Sequence, residues 1–444
     1  MKLSNIIEVT KASHDFTGKD RVVKRIVTSS QTVKRGDLFI ALKGKVYDGH
    51  HYIKEAIERG ARYIICSEKP IQSYKGVVFL QVMDTTQALI ELGRFQRSQF
   101  PIPLIAITGS VGKTMTKELI YRILKQRYTV LKSPKNYNNR IGVPLTLLEL
   151  NSHHQMIVME LGMNHSGEIH ELSELCEPDI GVITNIGTSH IGYLKGKKQI
   201  LKAKLEITDG MQDGYLLVNG HDSYLKRIKK DDIEVISVGT SPNLTFSHVQ
   251  LYVDSTFAWL HYQDQIIPMK IPMPGKKLLD NVLLAIQVGL LFQVPINDIV
   301  TAIESYHTKE GRLQFLELPN GITLIDDCYN ASLESLDNAL SILSLVEGPK
   351  TLVFGDILEL GNYSKKIHKK AAKLMKQVPD LQVILVGSET KRIRKRLRNS
   401  TWFPDVKSLL ETFDITSLIG QTVLVKGSRG IHLDRFVSSI QKTT

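Results

Sequence analysis

The run Ile105-Ala106-Ile107-Thr108 enters Gly109-Ser110-Val111-Gly112-Lys113-Thr114 and continues as MTKELIYRIL. An apolar strand-like stretch, a glycine turn and a helix-forming stretch thus follow one another directly. That order requires a buried strand to end at a loop that opens a helix, the unit from which parallel sheets are built. Glycines let the loop's amides approach an anion, and the helix N-terminus favours negative charge. Lys113 is placed to reach terminal phosphates, and Thr114 to offer a hydroxyl to magnesium. The general phosphate-loop pattern asks for another glycine five residues before Gly112, where this chain has Ile107. The plain alternative is a chance glycine turn at a strand–helix joint; Gly-Lys-Thr in this context argues against it.

The same alternation continues along all 444 residues. DLFIALKG and GARYIICSE mark a small α/β unit over residues 1–98. A second block, 99–312, has strand candidates at Leu104–Thr108, Met156–Met159 and Gly181–Thr184 and a long apolar helix at Leu278–Phe292. A third, 313–444, carries ITLIDD, TLVFGD, LQVILVG and QTVLVKG between helical patterns. The expectation is an α/β protein of three domains with mainly parallel sheets. Ligands of open α/β sheets bind at the carboxyl ends of strands. That directs attention to Glu160 after MIVM, a possible magnesium carboxylate, and to His190 after VITNIGTS. Taken alone, His190 reads as a structural hydrogen-bonder and Lys204, in KAKLEI, as a surface helix lysine.

Composition excludes several classes. The N-terminus lacks an apolar segment with a small-residue cleavage site, which argues against a signal peptide. No apolar run approaches the roughly 20 residues of a bilayer span. Cys66, Cys176 and Cys328 are too scattered for a metal or redox spacing and read as buried apolar residues in a reducing compartment. The net charge of +12 suits anionic metabolites as well as nucleic acid. The densest basic run, Lys391 to Arg398, spaces Ile393 and Leu397 four apart and reads as a solvated helix face rather than a nucleic-acid patch.

Six segments in register resemble the Mur ligase family. They are TGSVGKT at Thr108–Thr114, KNYNNRIGVP at Lys135–Pro144, MELGMNHSGEI at Met159–Ile169, DDCYNA at Asp326–Ala331, GDILELG at Gly355–Gly361 with His368 downstream, and LVKGSR at Leu424–Arg429. GDLFIALKG with Asp48-Gly49-His50 adds a seventh likeness near the start. The resemblance implies a cytoplasmic, monomeric, ATP-dependent amide ligase acting on a UDP-sugar-peptide and a dipeptide, with no nucleic-acid partner. It implies an N-terminal UDP-substrate domain, a central phosphate-loop ATPase domain and a Rossmann-like C-terminal domain. It implies that Gly109, Ser110, Gly112, Lys113, Thr114, Asn281, Arg312 and Asp327 hold ATP. Thr114, Glu160, His190 and Lys204 would serve magnesium, with two ions expected and Lys204 carried as a carbamate. Lys113, His190, Lys204 and Arg312 would be catalytic. Ser30, Gln31, Lys43, Asp48, Asn138, Asn139, Tyr329, Asn330 and Ser428 would face substrates.

The chain departs from the family at both substrate ends. Ser29-Ser30-Gln31 stands where Asp-Ser-Arg is usual, and Asn330-Ala331-Ser332-Leu333 lacks the proline of NANP. The link after His190 reads Lys195-Gly196-Lys197-Lys198, and Asp280 replaces a histidine before Asn281. A paralogue joining a different carboxylate and amine is the alternative these departures raise.

Overall fold

The computed structural model describes residues 1–44, 47–69, 74–308 and 311–442. Four sheets organise them. The N-terminal sheet runs Ser13–His14, Val78–Gln81, Tyr63–Cys66, Leu38–Ile40, Ile26–Val27, with only the first pair antiparallel. The helix Thr85–Ser98 follows, capped by Asp84, whose carboxylate accepts from the amides of Thr86 and Gln87. Its buried Arg97 donates to the carbonyls of Cys176, Phe100 and Glu177. A buried guanidinium with three acceptors is satisfied, and it ties this helix to the next unit.

The central sheet is parallel throughout: Glu234–Val238, Tyr215–Asn219, Ile180–Ile183, Leu104–Thr108, Met156–Glu160, Val130–Lys132. Leu104–Thr108 is buried along its length, as a strand covered on both faces must be. The chain leaves it for the strands on one side and later returns to the other, so its carboxyl end is the switch point of the sheet. The glycine loop emerges there. The helix Leu279–Leu291, expected over 278–292, packs on the loop helix Lys113–Leu124.

The C-terminal sheet runs Gln314–Glu317, Thr323–Asp327, Thr422–Lys426, Lys350–Gly355, Leu381–Val386, Ser400–Phe403, parallel except for the first pair. The four strands expected here from ITLIDD, TLVFGD, LQVILVG and QTVLVKG are present. Two features differ from expectation. Leu244–Leu251, Thr256–Tyr262 and Gln265–Ile271 form a separate antiparallel sheet; their mixed polar residues, and Pro268 in the last, hide the pattern in sequence. The basic run is not one helix: the helix Ser388–Lys391 stops and a 3-10 turn covers Arg394–Arg396. Its inner edge is as expected, with Ile393 buried and the cations exposed. The three cysteines are free and buried. Among the described residues no helix is long and apolar enough to cross a membrane.

Candidate functional site

The glycine loop is shaped by positive φ at two glycines. Gly109 has φ +153° and Gly112 +87°. A Cβ at Gly109 would lie 1.8 Å from Thr184 Oγ1, and one at Gly112 2.4 Å from Asn281 Nδ2, so both side chains are excluded by contact as well as by backbone. The neighbouring strand end braces the loop. Asn185 Oδ1 accepts from the Val111 amide at 3.0 Å, while Thr184 Oγ1 and Asn185 Nδ2 donate to the Val111 carbonyl at 2.7 and 2.8 Å. The Gly187 amide donates to Ser110 Oγ at 2.8 Å. Thr184 and Asn185 were not singled out by sequence; their position directly after an apolar strand was the available signal.

Register delivers the first carboxylate. Ile107 pairs with Glu160, so Glu160 sits beside the start of the loop. Thr114 Oγ1 donates to Glu160 Oε2 at 2.9 Å, and Asn138 Nδ2 to Oε1 at 2.8 Å. The buried Lys117 lies 4.0 Å from the same carboxylate and donates to the carbonyls of Ser133 and Lys135. Lys113 folds back onto the Gly109 carbonyl at 2.8 Å. Loss of hydration holds its pKa below the usual lysine value, against the attraction of Glu160; the Arg312 charge lowers it further.

Lys204 is the chief surprise for a local reading of the sequence. The helix Lys197–Leu205 turns Ile200, Ala203 and Lys204 inward, leaving Lys204 2% exposed. Its amine has no hydrogen-bond or ion-pair partner among the described residues. Burial pushes its pKa well below the ordinary value, and the nearby Lys113 charge adds to this. A buried amine within electrostatic reach of the phosphate loop is not a surface lysine.

The structure brings Arg312 and Asp327 together from the C-terminal side. Arg312 stacks on the ring of Tyr329, 4.2 Å from its centre. The parallel register sets Asp327 opposite Lys426, and the two form an ion pair at 2.5 Å with Lys426 1% exposed. Burial raises the Asp327 pKa, and Lys426 is the main group opposing that rise. Lys426 stands in LVKGSR, where sequence reasoning gives it no role; a lysine ending a buried strand is the signal that marks it. Lys426→Met strips the counter-charge from a buried carboxylate and is expected to cost about 3 kcal/mol or more of stability, read as a lowered urea midpoint. An unchanged midpoint would show the pair to be solvated.

Asn281 is 3% exposed, lies against Gly112 and leaves Oδ1 without a hydrogen-bond partner among the described residues. An orphaned buried acceptor beside a phosphate loop suits a donor on a bound ligand. His190 has φ +59°, and its Nδ1 pairs with Glu359 of the C-terminal unit at 2.6 Å. That close contact is the main cause holding the Glu359 carboxyl below its usual pKa. Around it the Gly192 amide donates to the Glu359 carbonyl, Tyr363 Oη to the Lys195 carbonyl, and Thr188 Oγ1 to Glu334. Two units therefore meet over the carboxyl end of the central sheet. Among the described residues no three of His, Cys, Asp and Glu cluster as a ready metal site, so His190 and Glu160 do not form one unaided. The hydroxyl and carboxylate of Thr114 and Glu160 are nevertheless hard oxygen donors of the kind magnesium takes together with substrate phosphates.

The remaining residues divide by their partners. Asn139 Oδ1 is occupied by the amides of Ile141 and Gly142, Asn330 Oδ1 by the Ala331 amide, and Ser428 Oγ by the Leu358 amide. In the N-terminal unit Ser30 donates to Glu55 at 2.8 Å, Lys43 pairs with Glu68 at 3.4 Å, and Asp48 caps the turn Gly49–Tyr52 while holding His50. Gln31 is exposed and has no hydrogen-bond partner among the described residues. None of these four hydrogen-bonds to the glycine loop.

A glycine loop at the switch point of a parallel sheet, with a second parallel sheet closing over it, defines a phosphate-loop nucleotide-binding protein of the α/β class. Comparison with known proteins narrows this. Residues 22–97 match the Mur ligase family catalytic domain, 107–289 the Mur ligase middle domain, and 311–429 the Mur ligase glutamate ligase domain. The UDP-N-acetylmuramoyl-tripeptide–D-alanyl-D-alanine ligase of Bacillus subtilis is 30% identical over 453 residues, covering 99% of this chain and 97% of its own. A crystal structure of MurF from Acinetobacter baumannii superposes with a TM-score of 0.90 at 31% identity, covering 99% of this chain and 98% of that one. MurF of Thermotoga maritima in complex with ADP gives 0.81 at 26%, covering 95% and 97%. The chain belongs to the Mur ligase family.

Proposed function

We infer that the chain is an ATP-dependent, ADP-forming peptide ligase that joins D-alanyl-D-alanine to UDP-N-acetylmuramoyl-tripeptide, a cytoplasmic step of peptidoglycan synthesis. The observation that carries the reading is the convergence of Lys113, Thr114, Glu160, Lys204 and Arg312 around one loop, in a chain alignable end to end with ligases of that name. We divide it at 98/99 and 312/313 into substrate, ATPase and C-terminal domains.

The chemistry follows from these groups. The loop amides, Lys113 and Arg312 hold the polyphosphate and spread the charge of the γ-phosphoryl as it passes to the acceptor carboxylate. The resulting acyl phosphate is attacked by the dipeptide amine, and phosphate leaves. Magnesium bound at Thr114 and Glu160, and at a second position toward His190 and Lys204, would add positive charge to the phosphates. Asn281 offers its unpaired Oδ1 to the adenine amino group, and Asp327 lies on the nucleotide side of the C-terminal cleft. Glu359 orients the His190 ring. Closure of the C-terminal unit excludes water from the acyl phosphate. The depressed pKa of Lys204 favours the neutral amine that takes up carbon dioxide, and the carbamate would present an anionic pair of oxygens to the metal.

We assign Ser30, Gln31, Lys43 and Asp48 to the UDP-sugar, and Asn138, Asn139, Tyr329, Asn330 and Ser428 to the reacting ends. Gln31→Arg is expected to tighten binding of the UDP-sugar-peptide by roughly 1.5–3 kcal/mol, because a guanidinium restores a charge-assisted contact at an exposed, unpartnered position. Calorimetry on both proteins checks this; unchanged affinity would place the nucleotide elsewhere. A coupled assay of phosphate release with each substrate alone and with both tests the reaction as a whole.

A further inference from the structure

The cations of the C-terminal unit are not spread over it. Residues 313–444 hold 18 Lys and Arg against 14 Asp and Glu; twelve of those cations lie between 365 and 398, where only Asp380 and Glu389 oppose them. The rest of the unit carries 6 cations against 12 acids, so the unit is strongly polarised. The twelve fall on two adjoining segments. The helix Ser364–Met375 buries Ile367, His368, Ala371, Ala372 and Met375. Its exposed Lys365, Lys366, Lys369, Lys370 and Lys373 share the opposite arc at 100° per residue. It packs against Ser388–Lys391, whose continuation exposes Arg392, Arg394, Lys395, Arg396 and Arg398. Of the two opposing acids, Glu389 is already engaged by Arg392 and Ser364.

Crowding of this kind lowers stability. Lys365 and Lys369, Lys366 and Lys370, and Lys369 and Lys373 are like charges four apart on one helix, each pair unfavourable. Counter-charge from outside the fold would relieve it. The make-up of the face favours one source: its cations are eight lysines to four arginines. Its Trp402 ring is covered by Lys391 at 4.5 Å, and its indole N–H is spent on the Gly387 carbonyl. Nucleic-acid readers use grooves, free aromatic faces or arginine forks. A broad lysine-rich face instead matches an anionic layer of headgroups.

We propose that this face docks the protein reversibly on an anionic lipid bilayer. No large hydrophobic side chain is exposed between 364 and 398 among the described residues. The attachment is therefore electrostatic, without an inserted anchor, and is screened by salt. The full-length protein is to be sedimented with vesicles of phosphatidylcholine alone and with vesicles containing an equal share of phosphatidylglycerol. Only the second should carry it down, and added salt should release it. The combined variant Lys366→Gln, Lys370→Gln, Arg394→Gln, Arg396→Gln should bind roughly tenfold more weakly or worse, with its thermal unfolding and vesicle-free turnover unchanged. Equal binding to neutral vesicles, no binding to anionic ones, or an unaffected variant would overturn the proposal. Capture of duplex DNA without capture of vesicles would overturn it in favour of nucleic acid.

Discussion

Lys113→Ala is expected to abolish ligation while leaving thermal unfolding close to that of the parent protein. The ammonium rests on the carbonyl of its own loop and makes no ion pair among the described residues, so truncation removes little packing. What it removes is the positive charge aimed at the transferring phosphoryl group. Loss of a single such group from a dry site lowers turnover by about 10²–10³-fold, and a full charge on phosphate by more. Glu160 and Arg312 remain, so nucleotide still binds, more weakly. Turnover within a few-fold of the parent would refute the role given to the glycine loop.

The second large effect is at Lys204. Lys204→Ala should lose most activity, and short-chain carboxylic acids in the buffer should partly restore it by placing an oxygen anion where the carbamate stood. Stability should move the opposite way. A buried lysine with a depressed pKa takes up a proton on unfolding, so the unfolded state holds more protons between the folded pKa and the unfolded value of about 10.4. Wild-type stability therefore rises with pH across that window. Lys204→Met, which lacks the titrating amine, should be the more stable protein at neutral pH in bicarbonate-free buffer, with the gap narrowing as pH rises. Bicarbonate should stabilise the wild type and not the variant. Insensitivity to bicarbonate in both melting and turnover would remove the carbamate from the mechanism.

Legibility from sequence followed the range of the interaction. The strand Leu104–Thr108, the loop and its helix were readable because the hydrophobic run, the glycines and the helix formers are contiguous. The same holds for the parallel strands of the C-terminal sheet. The antiparallel sheet over 244–271 was not readable, since its strands mix polar and apolar residues and show no sustained period. The basic run has the exposed cations and inward Ile393 that its spacing predicts, but its helix ends at Lys391 where like charges crowd successive turns. Lys204 reads as a surface residue because Lys202 and Glu206, two positions to either side, are charged; only the inward turn of Ile200 and Ala203 reveals its burial. Two pairs at the site, Asp327 with Lys426 inside the C-terminal sheet and His190 with Glu359 between units, join residues 99 and 169 positions apart. No local pattern announces such contacts. Resemblance to the family points to the neighbourhoods of Lys204, Asp327 and His190; the structure adds the partners of Asp327 and His190 and the burial of Lys204.

If one cleft couples ATP cleavage to an amide bond between two particular substrates, the decisive measurement is the product itself. The protein is incubated with ATP, magnesium, UDP-N-acetylmuramoyl-tripeptide and D-alanyl-D-alanine, and the nucleotide product is weighed by mass spectrometry. The expected result is a UDP-sugar-pentapeptide formed in step with equimolar ADP and phosphate, and no product when either substrate is withheld. Phosphate release indifferent to both substrates, or a ligated product only with a different amine or carboxylate, would show that the chain catalyses another reaction.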